Sequence, residues 1–156
     1  MQNTYQFISD KGVFSLPGAA DYSDLYLPVA GECGIKSAVT PTLGGDCKLD
    51  QNTFLLEPVS VENLHNNRNA RNFWCHIGTH GSWSATGNSA EEIAKKFTDL
   101  ADENEVTAGF MWQTVTRTSR KYQLSAQITS FVPLDDPMEI MYVELTNTGN
   151  MQVRFT

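Results

Sequence analysis

Residues 122–147 read YQLSAQITSFVPLDDPMEIMYVELTN. In the first half Tyr122, Leu124, Ala126 and Ile128 alternate with Gln123, Ser125, Gln127 and Thr129. In the second half Met141, Val143 and Leu145 alternate with Ile140, Tyr142, Glu144 and Thr146. A period of two is the mark of strands with one buried face, and Asp135-Asp136-Pro137 between the halves supplies a turn. The stretch therefore predicts strands over 122–134 and 139–147, neighbours in an antiparallel sheet.

Working outward, Ala108–Thr118 (AGFMWQTVTRT) is rich in β formers and predicts another strand. Shorter candidates are Thr4–Ile8, Val13–Leu16, Leu25–Val29, Ile35–Thr40 and Phe54–Leu56. TLGGDCKLDQN at 42–52 predicts a turn-rich loop, and VENLHNNRNAR at 61–71 a polar surface segment. One helix is signalled. Ser89 and Glu92 form a capping box, and Ile93, Phe97 and Leu100 recur at helical spacing, predicting an amphipathic helix over about 90–102. Many short strands with one helix predict a mainly β, antiparallel β-sandwich over residues 1–156 as a single domain. The terminal MQVRFT alternates without a closing turn. It predicts either an edge strand or the cut end of a longer protein.

Composition narrows the function classes. The chain has 156 residues, 40 % of them apolar and 19 % charged, with net charge -7. That balance is globular. Without a basic cluster, nucleic acid is not an expected partner, and the negative charge disfavours anionic membrane surfaces. No apolar run approaches a membrane span, and no leader is visible at the start. Cys33, Cys47 and Cys75 do not form an even framework. Reduced thiols in a cytoplasmic protein are the simpler reading, and one disulfide with a free thiol is the alternative.

The chemistry-bearing residues concentrate in ARNFWCHIGTHGSWSATG, 70–87. Adjacent Cys75 and His76 would point to opposite faces of a strand, and with His80 they match no zinc spacing, so no metal is expected. No nucleophile elbow or phosphate loop occurs. Asp135-Asp136 and Glu91-Glu92 read as a turn and a helix first turn rather than as catalytic pairs. What remains is aromatic. Trp74, Trp83 and Trp112 stand among short polar residues, the composition of a sugar-stacking platform and equally of a sandwich core. Alternation allows only one of Phe73 and Trp74 to be buried. Trp83 and the exposed member of that pair are the candidates for a carbohydrate-facing surface.

Residues 125–156 resemble the end of the N-terminal β-sandwich domain of the inverting sugar phosphorylases of glycoside hydrolase family 94, formerly glycosyltransferase family 36. The matching elements are Phe131-Val132-Pro133, Asp135-Asp136 and Leu145-Thr146-Asn147, with Gly81-Ser82-Trp83-Ser84 upstream. LGGDCKLDQNTFLLEPVSVENLHNNRNARNFW, 43–74, is most similar to the branch acting on β-1,2-linked gluco-oligosaccharides, and the resemblance extends from about Phe14 to Thr156. It implies a galactose-mutarotase-like super-sandwich that supports an (α/α)6 barrel carrying the catalytic aspartate. No catalytic residue is then expected in this chain, and no cofactor; Trp74, Trp83, Arg71, Asn72 and His80 are implied as the candidates for a surface facing carbohydrate or the barrel. Inorganic phosphate is implied as co-substrate of the intact enzyme. The partners implied are a β-glucan oligosaccharide and the barrel, with a possible homodimer. An independent carbohydrate-binding module and a protein–protein interaction domain are the competing readings.

Overall fold

The computed structural model describes residues 4–22, 25–58 and 70–156. Two layers enclose one core. The larger layer is a six-stranded antiparallel sheet of order β1-β2-β9-β10-β11-β12, from Gln6–Phe7, Phe14–Pro17, Glu103–Gly109, Trp112–Ser119, Leu124–Phe131 and Ile140–Asn147. The second layer holds β3 to β6 (Leu27–Ala30, Lys36–Val39, Cys47–Lys48, Phe54–Leu56) and the pair β7 and β8 (Trp74–His76, Ser82–Ser84). The mainly β sandwich expected from the alternation is the fold of the chain. The segment expected on the surface at 61–71 lies, up to residue 69, outside the described residues.

The core follows the parity of the long strands. Val115 aligns with Val106 and Ile128, and Leu16 with Val106, so one face of the large sheet is apolar and buried. Val29, Val39, Leu43, Cys75 and Trp83 meet it from the second layer. Burying a side chain of this size contributes roughly 1.5–3 kcal/mol. The opposite face of the sheet is hydroxyl-rich, and Thr114 meets Thr129 at 2.8 Å while Thr118 meets Ser125 at 3.0 Å.

Three expectations need correction. The strand placed over Ala108–Thr118 is in fact a hairpin: β9 ends at Gly109 and β10 begins at Trp112. The turn is Phe110-Met111, and Met111 takes a left-handed φ of 60°. Apolar residues fill a turn where Asn-Gly would be the usual signal, so nothing in composition marks it. Gly109 leaves room for the Trp112 indole, which packs where a Cβ would stand.

Second, α1 spans only Ala90–Ala94, although the cap is as expected, with Ser89 Oγ accepting from the Glu92 amide at 3.1 Å. Phe97 adopts a φ of 65°, which an α-helix cannot continue through. Ile93, Phe97 and Leu100 consequently lie exposed, and Phe97 is 75 % exposed. Directly after the range expected for the helix, β9 begins at Glu103, and its Val106 and Ala108 are buried.

Third, the strand expected from Tyr122 starts at Leu124, because Gln123 sits at φ 52° in the β10–β11 turn. The terminal alternation forms no strand of either sheet. Its last residue, Thr156, exchanges two backbone hydrogen bonds with His76 at 2.8 and 3.0 Å, and Val153 packs on the core.

Buried polar groups are few and organised. Glu92 from α1 reaches Arg117 of β10 at 3.6 Å. Asp102 accepts from the Trp83 indole at 2.8 Å. Burial pushes the Arg117 guanidinium below its ordinary value against the nearby Asp102 and Glu92 charges. Burial also raises the Asp102 carboxyl, opposed by the Trp83 hydrogen bond. Gly87 makes this possible, since a Cβ there would collide with the Arg117 guanidinium. Elsewhere Gln113 Nε2 and Oε1 and Ser130 Oγ are buried without a protein partner. A buried polar group left unsatisfied costs about 1–3 kcal/mol.

Candidate functional site

The short β7–β8 hairpin carries the candidate residues. Pairing sets Trp74 opposite Ser84, Cys75 opposite Trp83 and His76 opposite Ser82. Parity does the rest: Cys75 and Trp83 point into the core, whereas Trp74 and His76 point out. Trp74 is 46 % exposed while Phe73 is half-buried against the core, so the alternation between them holds. A 3-10 turn at Gly78–His80 and Gly81, at φ 98°, close the hairpin.

Trp74 stands between two polar groups. On one side the His76 imidazole Nδ1 lies 3.1 Å from Ser82 Oγ. On the other, Ser84 Oγ accepts from the Asn88 amide at 2.9 Å and meets Thr86 Oγ1 at 3.2 Å. Asn88 Nδ2 donates to Asn72 Oδ1 at 3.3 Å and to the Thr42 carbonyl at 3.0 Å. Asn72 itself is exposed, and its amide donates to the Ala70 carbonyl at 3.0 Å. Ser84, Thr86 and Asn88 are buried and fasten the hairpin, so the polar groups within a ligand's reach beside the exposed Trp74 are Asn72, His76 and Ser82. An aromatic face so placed can stack on an apolar sugar face while they pair with its hydroxyls.

Two of the five candidates are not on this surface. Trp83 is only 2 % exposed, and its indole is engaged by Asp102. The expectation that it faces a ligand is therefore corrected: it sits on the inward parity of β8. The Arg71 side chain is 8 % exposed and is equally committed. It pairs with Glu139 through Nε and through Nη2 at 2.7 Å, and donates to the Gly45 and Asp46 carbonyls at 3.3 and 3.1 Å. His80 is exposed at the hairpin tip, where its carbonyl accepts from Tyr122 Oη at 3.2 Å. The structure thus brings Asn72, Trp74 and His76 to one outward row; His76, weighed in the sequence only as a metal ligand, was not among the five candidates. The strand parity that separated Phe73 from Trp74 also selects His76.

The Arg71–Glu139 pair was not legible in sequence either. Glu139 also accepts from Ser37 Oγ, tying β4, the 44–46 loop and the entry to β12 together. Burial works to raise the Glu139 carboxyl, but the Arg71 guanidinium and the Ser37 hydroxyl overcome it and hold it below its ordinary value. Burial pushes the Cys47 and Cys75 thiols up, which disfavours the reactive thiolate, and all three cysteines are free.

A separate groove of about 480 Å³ opens on the hydroxyl-rich face of the large sheet and is lined by Asp21, Asp99, Asp102, Glu103, Glu105 and Thr116. Its five carboxylates outnumber its one guanidinium, Arg120, which pairs with Glu103, so the groove disfavours anions such as phosphate. Among the described residues no group of three metal-ligating side chains gathers, and no helix is long and apolar enough to cross a membrane.

Two layers of antiparallel sheet around one core, with an exposed tryptophan on a short hairpin, define a supersandwich-type β domain. The glycosyl hydrolase 94 supersandwich domain matches residues 53–156, and the chain belongs to that family. The match opens just before β6, so the resemblance drawn upstream to Phe14 reaches beyond the matched residues. No curated protein matches the chain.

Proposed function

We propose that this chain is the accessory, carbohydrate-binding-type sandwich of an inverting β-glucan phosphorylase. It would support an (α/α)6 barrel that holds the catalytic acid and uses inorganic phosphate. The observation that carries the reading is the exposed outward row Asn72-Trp74-His76, with Ser82 beside His76. Membership of the family supports the assignment to a phosphorylase. Ile93, Phe97 and Leu100 are each exposed apolar side chains that a docked neighbour would cover. Free cysteines are compatible with a cytoplasmic setting.

The β-1,2-linked gluco-oligosaccharides are the ligands of choice on the resemblance of 43–74 to that branch. Affinity electrophoresis through gels containing individual β-glucans tests the reading. The chain is expected to be retarded by a β-1,2-glucan, with Trp74→Ala migrating as if no glucan were present. It is expected to release no sugar 1-phosphate from that glucan and phosphate. Turnover by the chain alone would overturn the accessory role, and unretarded migration in every β-glucan gel would overturn the sugar-binding role.

A further inference from the structure

One row of the buried face of the large sheet is polar where its neighbours are apolar. Register pairing places Phe14, Ala108, Gln113, Ser130 and Met141 side by side across β2, β9, β10, β11 and β12. The next row holds Leu16, Val106, Val115, Ile128 and Val143. Gln113 and Ser130 are both 0 % exposed. Neither heteroatom of the Gln113 amide, nor the Ser130 hydroxyl, finds a hydrogen-bonding partner among the described residues. β3 of the second layer packs over β10 and β11.

We propose that Gln113 and Ser130 form an internal water-binding site at the joint between the two sheets. Three arguments converge. The atoms are complementary to water: Nε2 donates, Oε1 accepts, and Oγ does either, so one molecule can satisfy all three within the two to four bonds that a buried water makes. The neighbours are small, since Gln113 is flanked in register by Ala108 and Ser130. The charge is right for a neutral occupant, as the row contains no carboxylate to hold a cation and no basic group to hold an anion. Gln113 and Ser130 are register partners, so their Cβ atoms stand about 4.5–5.5 Å apart, near enough to share one water. The layers would then meet partly through a hydrated contact rather than through apolar packing alone.

A crystal structure of the whole chain at high resolution, paired with water-to-protein cross-relaxation by NMR, tests this. The expected result is an ordered water at hydrogen-bonding distance from the Gln113 amide and Ser130 Oγ, with a direct cross-peak from long-lived water to the Gln113 side-chain NH2. Ser130→Ala is expected to weaken that cross-peak at least twofold, and Gln113→Met to remove the ordered water from the row. A dry row in the wild-type crystal, with Gln113 bonded directly to Ser130 and no cross-peak, would overturn the proposal. The wild-type measurement decides even where a variant does not fold.

Discussion

The six-stranded sheet and the layer packed on it are held by different forces. In the sheet, β10, β11 and β12 each run eight residues in continuous register, and their inward face carries the apolar row of Val115, Ile128 and Val143 between the polar positions Gln113 and Ser130 on one side and Arg117 on the other. In the second layer, strands are two to four residues long, too short to be stabilised by ladder bonds alone. Its segments are fastened by buried side-chain clusters instead: Arg71–Glu139–Ser37 at one place, and Ser84–Thr86–Asn88–Asn72 at another. Arg117–Glu92 anchors α1 to the large sheet in the same manner. Long strands make the scaffold, and charge and hydroxyl clusters mount the Trp74 face upon it.

The sharpest way to break this comparison is at the ion pair. Arg71→Ala leaves the buried Glu139 without its partner and is expected to lose about 3–5 kcal/mol in urea unfolding. A loss below about 1 kcal/mol would mean that the second layer does not depend on this pair. Ile128→Ala in the sheet is expected to lose about 2–5 kcal/mol by opening a cavity, with the sheet's β signature in circular dichroism retained.

Acid titration separates the clusters more finely. The Glu139 carboxyl is depressed in the fold, so its contribution is present above its ordinary value of 4.5 and fades as pH falls through the folded value. Asp102 is raised above 3.8, so its contribution runs the other way, weakening as pH rises through that window. The Asp102→Asn variant is therefore expected to lose stability more steeply on acidification than the wild type, read from unfolding midpoints between about pH 5 and 3. An unchanged slope would remove Asp102 from the account. At the small end, Trp74→Ala at an exposed position is expected to shift stability by only about 0.5 kcal/mol.

How much of this was legible beforehand follows the same division. Residues 122–147 could be read because long strands with one wet face repeat their signal every second residue. The Phe110-Met111 turn could not be, since it uses backbone freedom without turn residues. The helix failed past Ala94 because its apolar period was real but its inward contact is Glu92 on Arg117. Trp74 was found from its polar company, and the same company misled at Trp83, whose partner Asp102 lies 19 residues away. Arg71 misled likewise, for Glu139 lies 68 residues away. Pairings of that range leave no local trace. Only strand parity, once Cys75 is set inward, distinguishes Trp74 and His76 from Trp83.

The most direct test is tryptophan fluorescence of the wild type and of Trp74→Phe, titrated with a β-glucan panel that includes β-1,2-linked oligosaccharides. Trp83 is buried and fixed by Asp102, so the account predicts a saturable shift in the wild type that vanishes in a folded Trp74→Phe. A shift of equal size in that variant, or a flat response from both proteins, would contradict the assignment of the Trp74 face to sugar.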